Sequence, residues 1–293
     1  MSTPETAQNA SEGGPVLDRS IGNIMAELRH LSAQQVEQVL QHQKQHDLRF
    51  GEAAVALGLA SKDDVLVALA QQFHYPYAPH ELRTLSPELV ALNEPFSPRA
   101  EGFRALRSQL MMRLFGADGP ATALAVISPD VNDGKTYAAV NLAVSLAQLG
   151  GRTLLIDADM RSPRVHTIFQ LKNQSGLSGI LAGRTGSQVI EQVAGIGSLF
   201  VLPVGTTPPN PQELVERPAF GLLLRELVAK FDHVVVDTPA AAHGADAAVI
   251  AAKCGAAIIV ARKDTSRSAA LRELVASLAG APVKLAGVVF NEY

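Results

Sequence analysis

Residues Ala125 to Thr136 read AVISPDVNDGKT, and the fold turns on how this stretch is understood. A short apolar run leads into a loop of Pro129, Asp130, Asn132 and Asp133, and Gly134-Lys135-Thr136 then opens an Ala-rich helix. A helix start presents unpaired backbone N–H groups, a glycine lets the backbone come close, and a lysine with a hydroxyl neighbour reaches a phosphate and its cation. The strict G-x-x-x-x-G-K-[ST] pattern asks for glycine at 129, where this chain has Pro129, so the first turn is built differently. A Gly-Lys-Thr tripeptide also arises by chance, and its weight here comes from the acidic motifs downstream of it.

There are two of these. LLIDADMRSPR places Asp157 and Asp159 at the end of a second apolar strand, two residues apart and so on one side of it. HVVVDTPA places Asp237 at the end of another, where a carboxylate that senses Mg²⁺ directly or through water belongs. Either motif alone also serves to cap a loop. A loop lysine, then D-x-D, then D-T-P, each at a strand end, points to a bound nucleoside triphosphate.

Strand-like runs at 124–127, 153–156, 199–202, 233–236, 257–260 and 285–290 alternate with Ala/Leu-rich helical segments. This predicts an α/β fold: a P-loop parallel sheet with helices on both faces, its ligands beyond the carboxyl ends of the strands. Ahead of it the pattern predicts a small all-α domain. Gly22 and Gly51, Val36 and Val65, Leu40 and Leu69, Gln43 and Gln72 each recur at one fixed spacing, so two copies of a helical unit stand in tandem. Ser32 with Gln35 and Ser61 with Asp64 read as N-caps, and Val36, Val39 and Leu40, like Val65, Leu66 and Leu69, as buried stripes.

The boundaries expected are a disordered leader over 1–18, the helical repeats over 19–77, a Pro-rich linker over 78–98 and the P-loop domain over 99–293. The net charge of −3 argues against nucleic acid as a partner. It is unevenly shared, with six Lys or Arg against twelve Asp or Glu over residues 1–95. The single Cys254 excludes a disulfide framework and fits a reducing compartment. The polar leader is no secretory signal, and no apolar run approaches the roughly 18 residues a membrane span needs. A cytoplasmic location is expected, with any recruitment to the inner membrane supplied by a partner.

Residues 19–77 resemble the N-terminal domain of type II secretion and pilus assembly ATPases, whose repeats in some members bind cyclic di-GMP. Arg49, Gly51, Gly58, Val65, Leu69 and Gln72 fit that pattern in the second copy. The first departs from it, with Ser20 at the arginine position and Arg29 at a glycine position. Docking through a plain helical module is the alternative.

Residues 97–293 resemble the bacterial tyrosine autokinases of exopolysaccharide synthesis, and among them the cytoplasmic type associated with chain-length determinants or exosortases. The resemblance rests on SPDVNDGKT, in which Pro129 is normal for that family, on LLIDADMRSPR, on VVVDTPA and on LPVGTTPPNPQELV at 202–215. It rests also on Glu101, Arg104 and Arg107, which match an acid-x-x-Arg-x-x-Arg motif of ring interfaces; the plain alternative is a solvated helix face. It implies ATP and Mg²⁺ as cofactors, with Asp133, Gly134, Lys135, Thr136 and Tyr137 along the nucleotide and Lys135 on its β/γ-phosphates. Thr136 and Asp157 would hold the metal, Asp237 would position it or its waters, and Asp159 would activate the acceptor hydroxyl. Asn291 stands where related partitioning ATPases read adenine.

The same resemblance implies a homo-oligomeric ring, phosphorylation in trans of a tyrosine-rich tail, and activation by a membrane polysaccharide copolymerase. Here that tail is nearly absent. The tyrosines are Tyr75, Tyr77, Tyr137 and Tyr293, of which Tyr293 is the natural acceptor and Tyr137 is better placed for packing. Two rival readings stand beside the kinase: a partitioning or septum-site ATPase switch, whose bridging loop lysine is replaced here by Asp130, and a regulatory module that senses cyclic di-GMP.

Overall fold

The computed structural model describes residues 20–73, 85–116, 122–184 and 189–292. The chain divides into two compact units, Met1–Tyr75 and Pro76–Tyr293. The leader, Tyr75, Tyr77 and Tyr293 lie outside the described residues.

The first unit holds α1 (Ile21–Arg29), α2 (Ala33–His46), α3 (Phe50–Ala56) and α4 (Lys62–Gln72). The repeat is visible as two helix pairs, α1 with α2 and α3 with α4, arranged so that α1 packs mainly on α4 and α2 on α3. Ser32 and Ser61 cap α2 and α4 with reciprocal bonds to Gln35 and Asp64, satisfying the first free N–H groups of each helix. Ser20 and Arg49 occupy the same N-cap position of α1 and α3. Gly51 is demanded by packing, because a Cβ there would lie 2.7 Å from Val65 Cγ1, whereas at Gly22 the nearest atom is the Phe50 ring at 3.5 Å. The core is Ile24, Met25, Val39, Phe50, Ala53, Ala54, Ala60 and Ala68. The expected stripes are corrected in detail: Leu40 is exposed, and in α4 Val67, Ala68 and Ala70 are the buried residues, with Val65 only partly covered.

The second unit is a seven-stranded sheet among the described residues, ordered β3-β4-β2-β5-β1-β6-β7. The strands are β1 (Ala123–Ile127), β2 (Thr153–Asp157), β3 (Glu191–Gln192), β4 (Leu199–Leu202), β5 (His233–Asp237), β6 (Gly255–Arg262) and β7 (Lys284–Asn291). All pair in parallel except β3, which runs antiparallel to β4. Alternate residues of β1 feed opposite cores: Leu124 and Val126 join one, Ala123, Ala125 and Ile127 the other. The first is covered by α5 (Val90–Asn93), α6 (Pro98–Arg113), α7 (Lys135–Ala147) and α8 (Val165–Ile168). The second is covered by α9 (Leu177–Leu181), α10 (Pro211–Glu216), α11 (Pro218–Lys230), α12 (Asp246–Cys254) and α13 (Ser268–Ser277).

The expected linker over 78–98 is wrong from residue 85 onward. Leu89, Val90, Ala91 and Leu92 are buried, and the segment is strapped to α7 by side chains. Asn141 accepts the Ala91 N–H at 2.9 Å and donates to the Glu88 carbonyl at 2.8 Å, while Gln148 donates to the Ala91 carbonyl at 2.9 Å. Proline limits regular structure in this segment, and side-chain amides of α7 and its C-cap take up backbone groups of Glu88 and Ala91.

Candidate active site

The loop after β1 is held from three sides. Gly134 has φ +94°, and a Cβ there would sit 2.0 Å from Asn291 Nδ2, so both backbone and space require glycine. Asn291, at the end of β7, donates from Nδ2 to the Asp133 carbonyl at 3.1 Å. The Asp133 carboxylate is buried and engaged in shaping the loop: it accepts from Asp130 N at 2.8 Å and from Ser266 Oγ at 2.6 Å. The carboxylate expected along the nucleotide is thereby committed to the loop itself. The N-terminal turn of α7 then presents Lys135 and Thr136.

Lys135 Nζ lies 3.7 Å from Asp159 Oδ2, both side chains almost covered. Asp157 and Asp237 stand opposite one another on β2 and β5, and both are buried. Asp157 accepts from the N–H groups of Asp159 and Val165, each at 3.1 Å. Burial first, then the charges of Asp237 and Asp159, still raise its pKa well above the usual carboxylate range. Neither oxygen of Asp237 makes a well-formed hydrogen bond within the described residues. Burial pushes its pKa up to about 7; the Lys135 charge, then the Thr136 hydroxyl, offset only part of that penalty. Asp159 is placed by Arg161 N at 3.2 Å and Ser162 N at 2.9 Å. Arg161 in turn bonds Asp246 through Nε at 2.5 Å, fixing this loop to the start of α12.

An unpartnered buried carboxylate beside a hydroxyl is a donor set that fits a hard divalent cation. Among the described residues no group of three acidic, His or Cys side chains forms a cage for a metal ion. Such a cation would complete its shell with phosphate oxygens and water, as Mg²⁺ does at triphosphates.

Lys135, Thr136 and Asp159 open on a cleft of about 470 Å³ lined also by Gly134, Tyr137 and Asn291; Asp133, Asp157 and Asp237 are not part of its lining. The Tyr137 ring also packs edge-on against Phe103 of α6 at 5.6 Å. Glu88, Ser162, Arg164, His243 and Arg262 line it too, and none of them was picked out from sequence. Arg262 lies at the carboxyl end of β6, where the strand-end rule pointed; Glu88 carried no signal. Outside the cleft, Arg104 bonds Glu101 and the Pro95 carbonyl, and Arg107 donates to the Ser145 carbonyl at 2.7 Å. These partners lie within the chain.

Parallel sheet, glycine-lysine loop and strand-end carboxylates define a P-loop nucleotide-binding protein. The chain belongs to the CobQ/CobB/MinD/ParA nucleotide binding domain family, which matches residues 124–293, and within it to the protein-tyrosine kinases. The tyrosine-protein kinase YwqD of Bacillus subtilis is 32% identical over 203 residues, which are 69% of this chain and 85% of YwqD. The solved kinase domain of the Escherichia coli tyrosine kinase ETK superposes with a TM-score of 0.67 at 31% identity, over 71% of this chain and 81% of that one. The solved chimerical protein CapA2B2 superposes at 0.66 and 31%, over 77% of this chain and 97% of that one. Of the whole Escherichia coli etk protein the chain spans 28%. No described helix is long and apolar enough to cross a membrane.

Proposed function

We propose that the chain is an ATP-dependent tyrosine autokinase that regulates exopolysaccharide or capsule synthesis, export and chain length. The observation that carries this reading is the Lys135–Asp159 pair, set beside the unpartnered Asp237. Phosphoryl transfer needs positioning and charge neutralisation more than covalent help. Lys135 takes the β/γ-phosphates, which draws it from Asp159 and leaves that carboxylate to accept the proton of an incoming tyrosine hydroxyl. Thr136, Asp157 and Asp237 would hold Mg²⁺ directly or through water, and that ion supplies charge neutralisation across the phosphate oxygens. Asn291 closes the loop and borders the base.

The acceptor is Tyr293 of a neighbouring copy in a ring whose contacts include Glu101, Arg104 and Arg107; in that assembly the two arginines exchange their internal partners for the neighbour's. The activator is a membrane polysaccharide copolymerase, a reading supported by the likeness to the chimerical protein CapA2B2. Lys135→Met abolishes ATP-dependent phosphotyrosine on immunoblots, and phosphotyrosine that persists in this variant sinks the assignment. A second role is favoured by the N-cap positions of the repeats, where Arg49 offers a phosphate-binding group and Ser20 does not. Titration calorimetry of the full chain with cyclic di-GMP tests it, and absence of heat at high micromolar ligand removes it.

A further inference from the structure

Glu88 and Arg164 meet at the rim of the cleft, Arg164 Nη2 lying 2.7 Å from Glu88 Oε1, with side chains 36% and 56% exposed respectively. Both are held firmly at the backbone. Arg164 sits between Ser162, whose N–H is bonded to Asp159, and Val165, whose N–H is bonded to Asp157. Its position is therefore set by the carboxylates of the site. Glu88 is anchored by Asn141 through its carbonyl and by Ser86 Oγ, which accepts its N–H at 3.2 Å.

The same cleft is lined by the phosphate loop together with Asn291 and Arg262. Phosphates resting on Lys135 leave the Asp159–Arg164 side for whatever receives the phosphoryl group. An arginine there is a fork-shaped donor for carboxylates. Because the Glu88–Arg164 pair is open to solvent, its net attraction is small and another carboxylate exchanges for Glu88 at little cost. We propose that Arg164 selects the acceptor: Glu88 is its placeholder, and a tyrosine with an acidic residue beside it displaces Glu88 and is drawn towards Asp159. The expected acceptor in this chain, Tyr293, comes directly after Glu292. This orientation of the site rests on the kinase reading.

The test uses the full chain loaded with Mg²⁺ and a non-hydrolysable ATP analogue, and fluorescent peptides containing Asn-Glu-Tyr or Asn-Gln-Tyr, read by anisotropy. The wild type binds the Glu peptide about fivefold more tightly than the Gln peptide, the scale of one exposed charge pair. Arg164→Ala erases that preference, Arg164→Lys keeps part of it, and Glu88→Gln tightens binding of the Glu peptide. Preference retained in Arg164→Ala, or Glu peptide affinity unchanged in Glu88→Gln, overturns the proposal. So does a tenfold loss of nucleotide affinity in Arg164→Ala, which would make Arg164 a phosphate ligand. Phosphotyrosine formed from ATP on the same peptides is scored separately. An Arg164-dependent preference without phosphorylation breaks the kinase reading and leaves the peptide site standing.

Discussion

At the amino ends of β2 and β5, Arg152 N–H reaches the Asp232 carboxylate at 2.7 Å and the Arg152 guanidinium lies over the Phe231 ring at 4.8 Å. His233 packs edge-on to Phe115 at 5.2 Å, and burial lowers its pKa against the opposing charge of Asp232. At the carboxyl ends of the same two strands, Asp157 and Asp237 face each other, buried, with Asp159 adding its charge and Asp237 left without a well-formed hydrogen bond. One end is completed by the chain itself and contributes stability. The other leaves its charges only partly compensated, by Lys135, which is tolerable only where something outside the chain supplies the missing partner.

The contrast is sharpest at Asp237. Asp237→Asn removes the buried charge and is expected to stabilise the nucleotide-free protein by about 1–3 kcal/mol at pH 8, read as a rise in Tm. The same change lowers the phosphorylation rate on the order of 10²-fold, read from ATP-dependent phosphotyrosine. A variant that gains neither stability nor a rate defect would mean that the carboxyl end is completed internally after all.

The pH dependence comes next in size. Asp237 titrates at about 7 in the folded protein against an ordinary 3.8, so between these values the native state holds a proton that the unfolded chain has released. Stability of the nucleotide-free protein therefore falls as pH rises from about 4 to about 7, and Asp237→Asn flattens that slope in denaturant titrations. Asp232→Ala, at the amino end, is the smallest effect: a loss of about 1 kcal/mol for one backbone bond, with phosphotyrosine formation unchanged. Loss of activity in that variant would erase the distinction between the ends.

Much of the fold is legible in the residues alone. The six predicted strands are apolar runs with sharp polar ends, and each is found, because a parallel sheet covered on both faces needs that pattern. β3 escapes because Glu191–Gln192 is two polar residues paired only through the backbone of β4. The strap over 85–97 reads as a linker because its prolines outweigh the apolar run Leu89–Leu92, and a lone Asn141 in an Ala-rich helix gives no hint that it binds another segment. Lys135 and Thr136 are legible as cleft residues from the loop motif and Asp159 from its strand-end motif, while Asn291 is reached only through resemblance to partitioning ATPases. The inward turn of Asp133 is not, since its partner Ser266 lies 133 positions away.

The central position of β1 has a consequence for how the molecule comes together in time. Its neighbours are β5 and β6, and the Val126 carbonyl takes the hydroxyl of Thr238, 112 residues further along. Pairings so distant in sequence are slow to find one another, because the entropy of closing the intervening chain must be overcome before any contact rewards it. The phosphate loop leaves β1 and is held by Asn291 of β7, so it takes shape only when the distant strands have docked. A nucleotide recognises the finished sheet and not its precursors, and its binding pulls the folding equilibrium forward. Loading the site is thus also a checkpoint on assembly of the chain.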